Sequence, residues 1–242
     1  MRFHLNLGFL RQVEQLPQLA VAAEEAGYAG VTMPHRFIMP ASPETKYPYT
    51  PDGKMFWPKD IEFPDPWVAL GAMAAMTSKV ELISNIYLMA LHDPFSAARS
   101  MATVDRLSGG RVRAGVSSGW LEEEFTALGL PFADRGRRTD DYVGAMRALW
   151  TQDKASYNGD FASFENAIQR PQPTQPGGVP IVVGGHSKAA ARRAGRLGDG
   201  FFPISATEDE LVGLLDLMKQ TASEHGRDGD ALKVTVGGWS RP

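Results

Sequence analysis

The sequence predicts an α/β protein built as a (β/α)8 TIM barrel, incomplete toward its C-terminus. Three observations lead there. Short apolar runs alternate with helical stretches, the pattern of parallel strands joined by helical crossovers. The chemically interesting residues (His35, Asn85, 117–120, 184–187, Phe202 and 237–239) sit just after strands. Barrel sites are assembled from many strand ends, whereas an open sheet gathers its ligand near one switch point. Finally, seven barrel strands can be placed before Arg241-Pro242, so either one strand is hidden in a segment read as loop or the barrel is truncated or unusually short.

The elements follow in order. Residues 3–7 form the first strand, and 15–26 a helix stopped by Gly27. Residues 30–33 form a second short strand. Asp65-Pro66 is a cap with proline at the first helical position, opening a helix to Met76. Residues 80–88 are the third strand. Asp93-Pro94 repeats the cap signal for a helix to Leu107, and 111–116 are the fourth strand. Helices follow over 120–128 and 138–150, then a small inserted hairpin around 158–166. Residues 179–183 form the fifth strand, 188–197 a helix, 200–202 the sixth strand, 207–224 a helix capped by Thr207, and 232–236 the seventh strand.

At 242 residues the chain is long enough for one large domain, 1–242, with a long insertion loop at about 35–65. The 25 basic and 28 acidic residues give a net charge of −3, which argues against nucleic acid or an anionic membrane surface as the partner. With no cysteine, disulfides, thiolate catalysis and Cys-ligated metals are excluded, and no metal site is predicted. The N-terminus opens on a strand rather than a signal segment, and no apolar run approaches roughly 18 residues. A cytoplasmic protein is the expectation.

Gly184-Gly185-His186-Ser187 joins the fifth strand to the next helix. Two glycines at such a turn let backbone approach a ligand, the helix presents free N–H groups and its positive dipole end, and Ser187 adds a capping hydroxyl. This composition suits a phosphate; a tight connection is the structural alternative. The segment from His35 to Phe63 is rich in Pro and aromatics: Phe37, Tyr47, Tyr49, Phe56, Trp57 and Phe63. Loops longer than about 15 residues are usually functional or disordered, and the aromatics argue for packing. A lid over a pocket is the functional reading; a flap on the outer wall or a dimer contact is the structural one. Glu122-Glu123-Glu124 reads as acids favoured at a helix start, and Arg135, Arg137 and Arg138 as a solvated or ion-paired set.

Five stretches carry a family resemblance: 107–111 leading into Ala114-Gly115-Val116-Ser117-Ser118-Gly119-Trp120 and the acids beyond it; 131–140; Val183-Gly184-Gly185-His186-Ser187; Leu197-Gly198-Asp199-Gly200-Phe201-Phe202-Pro203; and Tyr47-Pro48-Tyr49-Thr50-Pro51-Asp52-Gly53. Together they resemble the bacterial luciferase-like superfamily, in its short coenzyme F420-dependent oxidoreductase branch, over about residues 3–220. The resemblance implies a (β/α)8 barrel holding F420 or FMN at its C-terminal mouth. It implies phosphate contacts at Gly184, Gly185, His186 and Ser187, although His186 stands where the family usually has Asn. It implies that Ser117, Ser118, Gly119 and Trp120 lie along the cofactor, that Phe202 borders it, and that Asn85-Ile86 forms a non-proline cis peptide behind its ring. His35 is the catalytic candidate, preceded by Pro34 where the family often has Asp; ordering the long loop is its structural alternative. His92 is a weaker candidate, His4 an interior residue and His225 a solvent-facing one.

The resemblance therefore implies an oxidoreductase moving hydride between F420 and a small organic substrate. One rival is an FMN-dependent monooxygenase fed by a separate flavin reductase. The other is a cofactor-binding barrel without turnover, to which the missing eighth strand and the absent Asp before His35 both point. A homodimer is implied by resemblance alone.

Overall fold

The computed structural model describes residues 1–8, 12–58, 60–204 and 207–237. In chain order these form β1 (His4–Asn6), α1 (Leu16–Glu25), β2 (Gly30–Met33), α2 (Pro66–Met76), β3 (Glu81–Leu88), α3 (Pro94–Ser108), β4 (Val112–Ser117), α4 (Glu122–Ala127) and α5 (Arg135–Thr151). There follow β5 (Ala155–Asn158), β6 (Ser163–Ala167), β7 (Ile181–Gly184), α6 (Lys188–Leu197), β8 (Gly200–Phe202), α7 (Glu208–Glu224) and β9 (Lys233–Val234).

Seven strands make one parallel sheet in the order β1-β2-β3-β4-β7-β8-β9. Among the described residues β1 and β9 each pair with one neighbour, so the sheet is a curled half-barrel, an incomplete (β/α)8 barrel. β5 and β6 form the separate antiparallel hairpin. Of the turn expected at 237–239, Gly238 and Trp239 lie outside the described residues.

Local chemistry sets the helix starts. The Asp65 carboxylate accepts the N–H groups of Trp67 (2.9 Å) and Val68 (3.0 Å), and Pro66 begins α2. Asp93 accepts Ser96 N–H at 2.7 Å with Pro94 behind it. Thr207 and Glu210 cap α7 reciprocally, the exchange that a capping box provides. α5 begins three residues earlier than the sequence suggests, because the 132–134 turn runs directly into it.

β2 and β7 are buried on both faces, as parallel strands sandwiched by helices must be. Leu82, Val112, Ile181 and Phe201 meet Leu70, Met73, Ala98 and Met101 of α2 and α3 in one core. Each large side chain removed from water there contributes about 1.5–3 kcal/mol. No helix among the described residues is long and apolar enough to cross a membrane.

Candidate functional site at the strand C-termini

All seven strands point their C-terminal ends the same way, and the loop between β2 and α2 lies across that end. Its described residues carry no helix or strand. Glu124, at the start of α4, is fully buried. Its carboxylate pairs with the Arg36 guanidinium and accepts the N–H groups of Phe37 (2.7 Å) and Ile38 (3.2 Å). Glu123 accepts Glu44 N–H (2.6 Å), Thr45 N–H (3.0 Å) and the Thr45 hydroxyl (2.7 Å). Burial pushes the Glu123 pKa up, but these hydrogen bonds outweigh it and hold the carboxyl at about 2. The acidic run thus does more than favour a helix terminus: two of its three members fasten the loop. The Arg36 guanidinium lies 5.0 Å from the Trp120 ring, and its Nε is buried without a partner among the described residues.

Further along, Tyr47 is the hub of an aromatic cluster with Tyr49 (5.1 Å), Trp57 (5.0 Å) and Trp120 (5.2 Å). Tyr49 meets His186 edge-on at 4.7 Å. The loop therefore runs from β2, past the β4–α4 turn, to the β7–α6 turn.

His35 is 7% exposed. Leu88 donates its N–H to His35 Nδ1 at 3.2 Å, so the ring carries its proton on Nε2. Its pKa is pushed down to about 2, first by burial and then by His92 and Arg36. It packs 4.9 Å from both Tyr87 and His92, and those two rings stack at 4.4 Å. Burial also lowers His92, to about 4, and its Nε2 is buried without a partner among the described residues. His35 is therefore a neutral donor tied to the end of β3.

The Asn85-Ile86 peptide is cis, as the resemblance implied. The Ile86 side chain enters the barrel between Gly115 and Gly184. A Cβ on Gly184 would sit 2.6 Å from Ile86 Cδ1, so packing already accounts for this glycine. Gly185 has φ +138 and donates its N–H to the Phe202 carbonyl (3.1 Å), which leaves that N–H occupied. Ser187 is the N-cap of α6, its hydroxyl accepting Ala190 N–H at 3.2 Å. The exposed turn available to an anion is thus His186, Ser187 and the first N–H groups of α6. Ser117, Ser118, Gly119 and Trp120 are half-buried in the facing turn, and Asn85 and Phe202 are half-buried beside it.

Other candidates resolve into structure. His4 Nε2 lies 3.4 Å from Glu81, at the opposite end of the strands. Arg137 pairs with Asp134 and Asp160, and Arg135 and Arg138 stack on Phe132 and Phe161. His225 is exposed at the end of α7. A cavity of about 490 Å³ opens at the N-terminal end of the sheet, beside Arg113, Asp199 and Lys233. Its arginines are committed: Arg113 pairs with Glu81, and Arg147 and Arg227 with Asp199.

A model of luciferase-like monooxygenases matches residues 2–239. The chain belongs to the luciferase-like monooxygenase family. An uncharacterised protein of Mycobacterium tuberculosis is 35% identical over 209 residues, 86% of this chain and 72% of its own. The FMNH2-dependent dimethylsulfone monooxygenase of Pseudomonas putida is 34% identical over 168 residues, 68% of this chain and 45% of its own. Among solved structures, an F420-dependent secondary alcohol dehydrogenase in complex with an F420–acetone adduct superposes with a TM-score of 0.79 at 24% identity, covering 98% of this chain and 68% of that one. Family membership agrees with the resemblance read from the sequence.

The sequence carries no local signal that pairs Glu123 and Glu124 with Thr45 and Arg36. The acidic run was visible; that its partners lie 78 to 88 positions away was not.

Proposed function

We propose that the chain is an oxidoreductase that moves hydride between coenzyme F420 and a small organic substrate at the strand C-termini. The observation that carries this reading is convergence: the turn at 117–120, the turn at 184–187 and His35 all lie at one end of the sheet beneath one aromatic loop. The residues suit such a cofactor. Ser117-Ser118-Gly119 and Gly184-Gly185 are small, and the Ser187 hydroxyl and the first N–H groups of α6 provide donors for a phosphate.

When bound, F420 or FMN supplies the redox chemistry. The protein's own groups bind, orient and exclude water. The Tyr47, Trp57 and Trp120 cluster makes an apolar cover, and His35 holds a proton on Nε2 for donation to a substrate oxygen. A neutral imidazole suits a carbonyl or alcohol oxygen, which needs a hydrogen bond rather than a counter-charge. Asn85, Ile86 and Phe202 would border the ring. The protein acts on a small molecule, in the cytoplasm and as a homodimer.

The 34% identity to the FMNH2-dependent enzyme supports a second reading, an FMN monooxygenase supplied by a separate reductase. Paired fluorescence titrations with F420 and FMN separate the two. Tight binding of F420 alone supports hydride transfer, and preference for FMN supports the monooxygenase. Binding of neither below about 100 μM, roughly −5.5 kcal/mol, would leave a barrel without turnover.

A further inference from the structure

We propose that residues 46–58 form a hinged cover over the two cofactor turns, with Tyr49 as its latch on His186 and the Glu123–Glu124 clasp as its fixed base. The inference rests on the flavin or deazaflavin reading of this site.

The loop is held in two different ways. Its base, residues 36–45, is fastened by carboxylates: Glu124 takes Arg36 and two backbone N–H groups, and Glu123 takes two backbone N–H groups and a hydroxyl. Hydrogen bonds to an ionised carboxylate are the strong kind. The arm beyond closes on itself. Tyr47 N–H bonds the Gly53 carbonyl (2.8 Å), Gly53 N–H the Thr50 carbonyl (3.1 Å), and the Thr50 hydroxyl the Lys54 carbonyl (2.8 Å). A segment with its own hydrogen bonds moves as a unit without breaking them, as compact surface loops do.

The arm meets the barrel through ring edges: Tyr47 on Trp120 and Tyr49 on His186. These contacts bridge the 117–120 and 184–187 turns. A cofactor held by both turns would lie beneath the arm, and its entry would require Tyr49 to leave His186. Ring contacts separate more readily than the charge-assisted hydrogen bonds of Glu123 and the buried pair of Glu124, which places the hinge between Thr45 and Tyr47.

Two measurements test this. In stopped-flow binding of F420 and FMN, Tyr49→Ala should raise the association and dissociation rates together by about tenfold and leave Kd within about twofold, while Tyr49→Phe, which keeps the ring, behaves as wild type. A rise in the dissociation rate alone, or no change, would overturn the latch. In limited trypsin digestion of the ligand-free protein, the exposed Lys46 and Lys54 of the arm should be cut well before the buried Arg36, and faster in Tyr49→Ala. Cleavage after Arg36 and Lys54 at one rate would mean that the loop opens in one piece and would overturn the hinge. Failure of wild type to bind either cofactor would overturn the proposed function, and the cover's purpose with it, whatever the digestion shows.

Discussion

Arg36 and Glu124 stand 88 positions apart and form an ion pair whose carboxylate is wholly buried. One follows β2 and the other opens α4. The pair joins the start of the long loop to the helix after the turn at 117–120, and it holds the guanidinium against Trp120. Burial pushes the Glu124 carboxyl up against the pull of Arg36, and two backbone N–H groups complete its coordination.

Removing one partner strands the other. Glu124→Ala should destabilise the protein by about 3–5 kcal/mol, because a buried guanidinium and two amides lose their acceptor. Arg36→Met/Glu124→Leu should recover the guanidinium's share of that loss, while the Phe37 and Ile38 amides stay without their acceptor. Urea unfolding of the wild type and the two variants measures it; a Glu124→Ala cost under about 1 kcal/mol would place the pair among weak surface bridges.

Two glycines answer differently to substitution. A Cβ on Gly115 would lie 2.1 Å from the Ser84 carbonyl oxygen, whereas one on Gly184 meets Ile86 Cδ1 at 2.6 Å and Cγ1 at 2.8 Å. Gly184→Ala should cost about 1–3 kcal/mol and be partly relieved by Ile86→Val, while Gly115→Ala should cost more and gain nothing from it. Equal additivity in both double-mutant cycles would contradict the packing described.

Stability should fall as pH drops below neutrality. His35 and His92 titrate in the folded protein at about 2 and about 4, well below the ordinary 6.5, so the unfolded chain binds more protons below pH 6.5. Destabilisation from His92 accumulates between pH 6.5 and 4, and that from His35 continues toward 2. His92→Phe should flatten the pH 6.5–4 slope of the urea midpoint; an unchanged slope would show that His92 charges freely in the folded state.

His35 should matter to turnover and not to cofactor affinity. His35→Phe should lower kcat/KM by about 10²-fold, the usual loss for one oriented donor, with cofactor Kd unchanged. With a folded pKa of about 2, His35 contributes no limb to the pH–rate profile between pH 5 and 8. A limb near 6.5 that vanishes in the variant would mean that the ring titrates in the working enzyme.

The barrel was legible because local signals agree with it. Asp65-Pro66, Asp93-Pro94 and Thr207 cap the helices they announce, and the apolar runs 30–33 and 200–202 coincide with β2 and β8. The turn at 184–187 was legible as a strand-to-helix junction. The division of labour within it was not: Gly184 accommodates Ile86, and Gly185 donates to Phe202. Both depend on neighbours brought by the sheet. Likewise the acids 122–124 carry a local meaning at a helix start, and only the path of the loop makes Glu123 and Glu124 its anchors.

Amide hydrogen exchange with and without saturating F420 or FMN locates the cofactor site on the barrel. Protection is expected at 117–120, at 184–187 and across 46–58, with no change beside Asp199 and Lys233 at the other end of the sheet. Protection confined to that N-terminal cavity, with the loop and both turns unaffected, would contradict a site at the strand C-termini.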